Sequence, residues 1–164
     1  MIVLGIDPGY ARVGYGVISF ENSIYKTLDY NSIITGSKQK FSERLEIIFD
    51  EISRICEKYK PDEVAIESLY FQKNRKTVIG VAEARGVILL SLQKKNLNIF
   101  EYTPLQIKSV ITGYGKAQKY QIISMVVRLL RLENAPNFDD TADALAIALC
   151  HVNFQKIQKN LTRG

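Results

Sequence analysis

The sequence predicts an α/β fold in which a mixed five-stranded sheet is flanked by helices. Three observations carry that prediction. Apolar runs at residues 1–7, 14–20 and 25–35 follow one another with only short turns between them. From residue 42 the apolar residues recur at helical spacing instead of alternating. Beyond that point helical and extended patterns alternate to the C-terminus, the arrangement of helices packed on the faces of a sheet.

Each element has its own signal. "MIVLGID" reads as a buried strand closed by Asp-Pro-Gly, a turn in which Gly9 is expected to take positive φ. "GYGVISF" and "YKTLDYNSIIT" continue it as a three-stranded meander. In "SERLEIIFDEISRICEKY", Leu45, Ile48, Phe49, Ile52, Ile55 and Cys56 form a helical stripe, with Ser42 as the expected N-cap. "PDEVAIESL" is a strand entered through Pro61, and a long helix over about residues 76–94 follows it. "NIFEYTP" is a fifth strand stopped by Pro104, then come a short helix to about Ile111 and the glycine-containing loop "TGYGKAQ". "KYQIISMVVRLLRL" and "DTADALAIALCHVNF" complete the chain as two helices.

With 164 residues, 46% of them hydrophobic, and no linker or repeat, the expected organisation is one domain over residues 1–164. No apolar run is long enough to span a bilayer, and "MIVLGIDPG" lacks the basic n-region of a signal peptide, so a cytoplasmic location is expected. Cys56 and Cys150 sit singly in apolar helical patterns and read as core thiols. His151, the one histidine, reads as structural.

The net charge of +5 is unevenly distributed. Residues 1–82 hold 11 basic and 11 acidic side chains, so the excess lies entirely in the second half. Between Ala84 and Arg131 stand eight basic residues against the single acid Glu101. Such a stretch suits a polyanion, although charge alone equally describes a solvated face.

The acids are more specific. Asp7 closes the first strand and Glu67 the fourth, so both carboxylates emerge at one sheet edge if those strands are neighbours, and ligands favour such carboxyl ends. Asp140 and Asp143, three apart at the front of the last helix, share a face. Capping explains Asp139 well and Asp140 adequately, but Asp143 lies too far into the helix to cap it. Four carboxylates converging without basic partners would repel one another, and hard divalent cations make such a cluster tolerable. Two such ions support phosphodiester hydrolysis.

With these residues in place the chain resembles the RuvC family of Holliday junction resolvases, endonucleases of ribonuclease H-like fold. "GIDPG" with "GYGV", "AIESLYFQKN", "ARGV", "TGYGKAQKYQIISMV" and "DDTADALAIA" follow the family's order and spacing almost end to end. The resemblance implies metal-binding catalytic acids at Asp7, Glu67, Asp140 and Asp143, with Asp139 left as the cap. Lys108 and Lys119 fall on the family's basic residues near the scissile phosphate, and Lys116 lies between them. Tyr70 falls where a junction-probing aromatic, usually Phe, is expected, with Phe71 as its neighbour and Lys73 as a further DNA contact. Tyr10 departs from the small polar residue expected after Asp-Pro-Gly.

What the resemblance implies is resolution of four-way DNA junctions in recombination and repair by paired symmetric nicks that leave 5′-phosphates. It also implies two Mg²⁺ per site, with Mn²⁺ able to substitute, a homodimer, a branch-migration motor (RuvA and RuvB) as partner, and a short T-rich cleavage preference. The helix "TVIGVAEARGVILLSLQ" could form the dimer contact, since Gly80, Ala84 and Gly86 permit close approach, or could be buried within one chain. Three rivals remain at this point: a junction-binding protein that does not cut, another ribonuclease H-like nuclease, and an actin-like nucleotide-binding fold, for which 164 residues are too few.

Overall fold

The computed structural model describes residues 1–68 and 75–161, with side chains at 1–68 and 78–158. The elements run β1 (Ile2–Asp7), β2 (Arg12–Glu21), β3 (Ile24–Ile34), α1 (Phe41–Tyr59), β4 (Glu63–Glu67), α2 (Arg75–Lys94), β5 (Asn98–Tyr102), α3 (Pro104–Thr112), α4 (Lys119–Leu130) and α5 (Asp139–Leu161). The five strands lie in the order β3-β2-β1-β4-β5. β1 pairs antiparallel with β2, and β2 with β3, as short turns require. Asn22 and Ser23, both at positive φ, make the two-residue turn between β2 and β3. β1 pairs parallel with β4, and β4 with β5, across the α1 and α2 connections.

Alternation along each strand divides the core into two layers. Leu4, Ile6, Val13, Val17, Val64 and Ile66 face α1 and α2, where they meet Ile48, Ile52 and Ile88. Val3, Ile18, Ala65 and Tyr102 face the other way, against α3, α4 and α5. Each fully buried aliphatic side chain contributes about 1.5–3 kcal/mol. His151, wholly buried in α5, is hydrogen-bonded at both ring nitrogens, by Nδ1 to the Tyr102 hydroxyl at 2.7 Å and by Nε2 to Glu63 Oε2 at 2.6 Å. Cys56 and Cys150 are buried free thiols. Among the described residues no helix is long and apolar enough to cross a membrane.

Two local expectations are corrected. Ser42 is not the N-cap of α1: the helix begins at Phe41, Lys40 is the cap, and Glu43 reaches back to accept the Lys40 N–H at 3.0 Å. Gly9 does not adopt positive φ, and its lack of a side chain is needed because a Cβ there would overlap the Arg12 carbonyl oxygen. Pro104 is accommodated as the first residue of α3, behind a capping box in which Gln106 N–H donates to Thr103 Oγ1 and Thr103 N–H donates to Gln106 Oε1.

The packing that places α5 is unusually close. A Cβ on Gly14 would overlap the Asp140 carbonyl oxygen, and one on Gly5 would overlap the Ala144 carbonyl oxygen and lie 2.9 Å from the Ala148 Cβ. The start of α5 therefore rests on β1 and β2 with backbone against backbone, and Ser32 of β3 adds a hydroxyl bond to Thr141 at 2.8 Å. Because backbone cannot yield as a flexible side chain does, Gly14→Ala is expected to destabilise the protein by at least about 2 kcal/mol. A urea midpoint equal to that of the unmodified protein would contradict this packing.

Candidate active site

The parallel register sets Ile6 beside Ile66, so Asp7 and Glu67 follow side by side at the carboxyl ends of the two central strands. Ile6 and Ile66 face α1 and α2, and alternation turns the next residue of each strand toward α5. The first two turns of α5, held against β1 and β2, bring Asp140 and Asp143 to the same edge, where both carboxylates act electrostatically on Asp7. α3 supplies Lys108 and the first residue of α4 supplies Lys119. These lysines line a cleft of about 200 Å³ with Glu67 and Asp143, walled on its apolar side by Ile107 and Ile122.

Burial and crowding change the acids. Burial pushes the Asp7 carboxyl up to about 8, with the charges of Glu67, Asp143 and Asp140 adding to the shift and Lys119 opposing it. Glu67 is pushed up to about 7, by burial first and then by Asp143, against Lys119 and Lys108. Asp143 is also raised by burial, while its bond from Lys119 acts the other way. For Lys119 burial favours the neutral amine, but Asp143 and Asp139 together outweigh it and raise its pKa. Burial and like charge together disfavour full ionisation of these acids and favour a proton or a cation in their midst.

Two of the acids already have cationic partners, contrary to the expectation of an unpaired cluster. Lys119 Nζ donates to Asp143 Oδ2 at 2.8 Å and lies 3.4 Å from Asp139. Arg12 Nη1 donates to Asp140 Oδ2 at 3.3 Å, and its guanidinium lies over the Phe138 ring at 4.5 Å. Arg12 was missed in the sequence; the available signal was a lone basic residue at the start of the strand paired with β1, five positions after Asp7. Nor is Asp139 the cap of α5: the Phe138 carbonyl accepts the first helical bonds, from Thr141 and Ala142, and Asp139 is the first helical residue, facing Lys119.

The donor set is all hard oxygen, which fits a divalent cation such as Mg²⁺ or Mn²⁺. Among the described residues no three acids, histidines or cysteines are grouped closely enough to hold one ion, and Asp140 and Asp143 are bonded to Arg12 and Lys119. Lys116 is exposed on the loop between α3 and α4. Tyr70, Phe71 and Lys73 lie outside the described residues. Tyr10 packs away from the acids, edge-on to Phe41 at 5.8 Å, under the Arg44 guanidinium and against Gly80, where a Cβ would come within 3.1 Å of its ring.

The raised acids set the pH dependence of the metal-free protein. A carboxyl whose folded pKa lies above its unfolded value favours folding below the unfolded pKa, and that contribution is lost as pH rises through the folded pKa. For Asp7 the loss runs from about pH 4 to about pH 8. In chelator, Asp7→Asn is therefore expected to match the unmodified protein near pH 4 and to exceed it by a few kcal/mol, order of magnitude, near pH 9. Thermal or urea unfolding across that range checks this, and a stability difference independent of pH would contradict it.

The chain was compared with known proteins. Residues 3–151 match the family described as "Crossover junction endodeoxyribonuclease RuvC". The protein of that name from Petrotoga mobilis is 51% identical over 160 residues, covering 98% of each chain. The solved Thermus thermophilus RuvC superposes with a TM-score of 0.90 at 30% identity, over 96% of this chain and 97% of that one. The T. thermophilus RuvC solved in complex with Holliday junction substrate superposes with a TM-score of 0.92, also at 30% identity, over 96% of each chain. The mixed sheet with helices on both faces is the ribonuclease H-like fold expected from the sequence. This chain belongs to the RuvC family of crossover junction endodeoxyribonucleases.

Proposed function

We propose that this protein is a structure-selective endodeoxyribonuclease that resolves four-way DNA junctions by nicking two symmetry-related strands. The observation that carries this reading is the convergence of Asp7, Glu67, Asp140 and Asp143 on one sheet edge, beside a cleft lined by Lys108 and Lys119. Family membership and the junction-bound T. thermophilus relative support the choice of substrate.

Asp7, Glu67, Asp140 and Asp143 would hold two Mg²⁺, for which Mn²⁺ would substitute, and such ions supply Lewis acidity and charge neutralisation to a phosphodiester. Lys119, already bonded to Asp143, and Lys108, which lines the same cleft, would hold the anionic oxygens of the scissile phosphate and offset charge that develops there. Ile107 and Ile122 keep bulk water from that side of the cleft, which strengthens each of these interactions. Hydrolysis of this kind requires no protein nucleophile, and water is the attacking group in this reading. Its oxygen bonds to phosphorus as the P–O3′ bond breaks, and a proton passes to the 3′ oxygen. The products are a 3′-hydroxyl and a 5′-phosphate.

Two symmetric nicks need two sites, hence a two-fold dimer. α2 supports this: Ile79 and Leu90 are exposed, and Gly86, which lies between them on the same helical face, has open space in front of it. Gly80 and Ala84 do not serve such a contact, since one packs on Tyr10 and the other is buried within the chain. We further infer a cytoplasmic site of action with a branch-migration motor as partner, on the strength of family membership.

The first test is cleavage of a synthetic four-way junction beside a linear duplex of the same sequence, with Mg²⁺ and with chelator. Paired, metal-dependent nicks confined to the junction are expected, and Asp7→Asn is expected to bind the junction as before while cleaving at least about 100-fold more slowly. Tight binding without cleavage in either Mg²⁺ or Mn²⁺, across several core sequences, would favour a non-cleaving junction binder. The second test concerns assembly: Ile79→Glu with Leu90→Glu is expected to sediment as a monomer and to lose paired nicking, and a dimer unchanged in both respects would remove α2 from the interface.

A further inference from the structure

Among the described residues, two aromatic side chains are predominantly exposed, and they lie within seven residues of each other: Tyr114 at 58% and Tyr120 at 70% relative exposure. Leu105, 62% exposed, lies beneath the loop that carries Tyr114, since a Cβ on Gly115 would be 2.6 Å from its Cδ1. Neither tyrosine hydroxyl has a hydrogen-bond partner among the described residues, so neither ring is held for a polar role within the chain.

The loop itself is well built. Gly113 closes α3 in the left-handed conformation, and the Tyr114 N–H donates to Thr112 Oγ1 at 3.2 Å. The buried Ala117 donates its N–H to the Tyr114 carbonyl at 3.0 Å, and Gln118 N–H donates to Gln121 Oε1 at 2.8 Å to start α4. Two large rings are therefore presented to solvent on an ordered backbone, an arrangement that lowers the entropy cost of binding a flat partner.

The surroundings identify that partner. Lys108, Lys116 and Lys119 share this segment with the rings, and no acid occurs between Tyr102 and Leu132. Lys119, next to Tyr120 in sequence, bonds directly to Asp143 of the acid cluster. A surface that alternates exposed rings with cations binds unpaired nucleic acid, bases stacking on the rings and phosphates meeting the lysines. We propose that Tyr114 and Tyr120 form a base-stacking platform for the strand that leaves the cleft on the α3–α4 side, where the junction crossover interrupts stacking. This rests on the proposed function and adds to it the residues that read the unstacked crossover on that side.

Titration of a fluorescent four-way junction with the full-length protein in Ca²⁺, by anisotropy at several salt concentrations, tests the platform. Tyr114→Ala and Tyr120→Ala are each expected to weaken junction binding by about fivefold or more, with Tyr→Phe retaining it. The slope of log affinity against log salt is expected to stay unchanged in both, whereas Lys116→Ala lowers it by about one. Binding of either Ala variant within twofold of the unmodified protein, or a Phe variant as weak as Ala, would overturn the platform and leave the nuclease reading intact. If the unmodified protein does not prefer the junction to linear duplex, the underlying function fails instead.

Discussion

The approach of α5 to β1 and β2, close enough that the Cβ positions of Gly5 and Gly14 are filled by helix backbone, governs the geometry of the acidic edge. Ala144, Ala148 and the Asp140 backbone occupy space that side chains on the sheet would otherwise take. Leu145, Ile147 and Leu149 are buried in the same helix, so apolar burial holds the assembly together while the glycines permit it. Asp140 and Asp143 are thereby fixed relative to Asp7 by main-chain packing rather than by their own side chains.

That rigidity explains the electrostatics. Free carboxylates would move apart or into water, but here packing imposes proximity and burial together, and the pKa values of Asp7 and Glu67 rise well above the ordinary carboxylate range. Lys119 and Arg12 offset part of the charge, at the rim rather than between the strand ends. The remaining imbalance suits the cation-dependent chemistry proposed for the site, in which bound ions would relieve the repulsion between anionic donors held close by packing.

The sheet also separates tasks between its two sides. Toward α1 and α2 the core is aliphatic, Tyr10 fills the space left by Gly80, and the outer face of α2 exposes Ile79 and Leu90. Toward α3 and α4 the surface is basic and carries the exposed tyrosines. The exposed apolar face of α2 and the basic α3–α4 surface thus lie on opposite layers of the sheet.

Strands, helices and their order were legible in the sequence because period and turn chemistry are local. The apolar run of "MIVLGID", the stripe from Leu45 to Cys56 and Pro104 at the end of a strand each express a choice made over a few residues. Asp7, Glu67, Asp140 and Asp143 were legible as candidates because acids at strand ends and inside an Ala- and Leu-rich helix lack a local purpose. Their pairing was not. That Arg12 reaches Asp140 across 128 positions, that Lys119 reaches Asp143 and that Phe138 rather than Asp139 caps α5 depend on where a helix settles on a sheet. Sequence determines which chemistry each segment carries, but ion pairs and desolvation arise from distances between segments, and here those distances are set by backbone contacts at Gly5 and Gly14 that no local pattern announces.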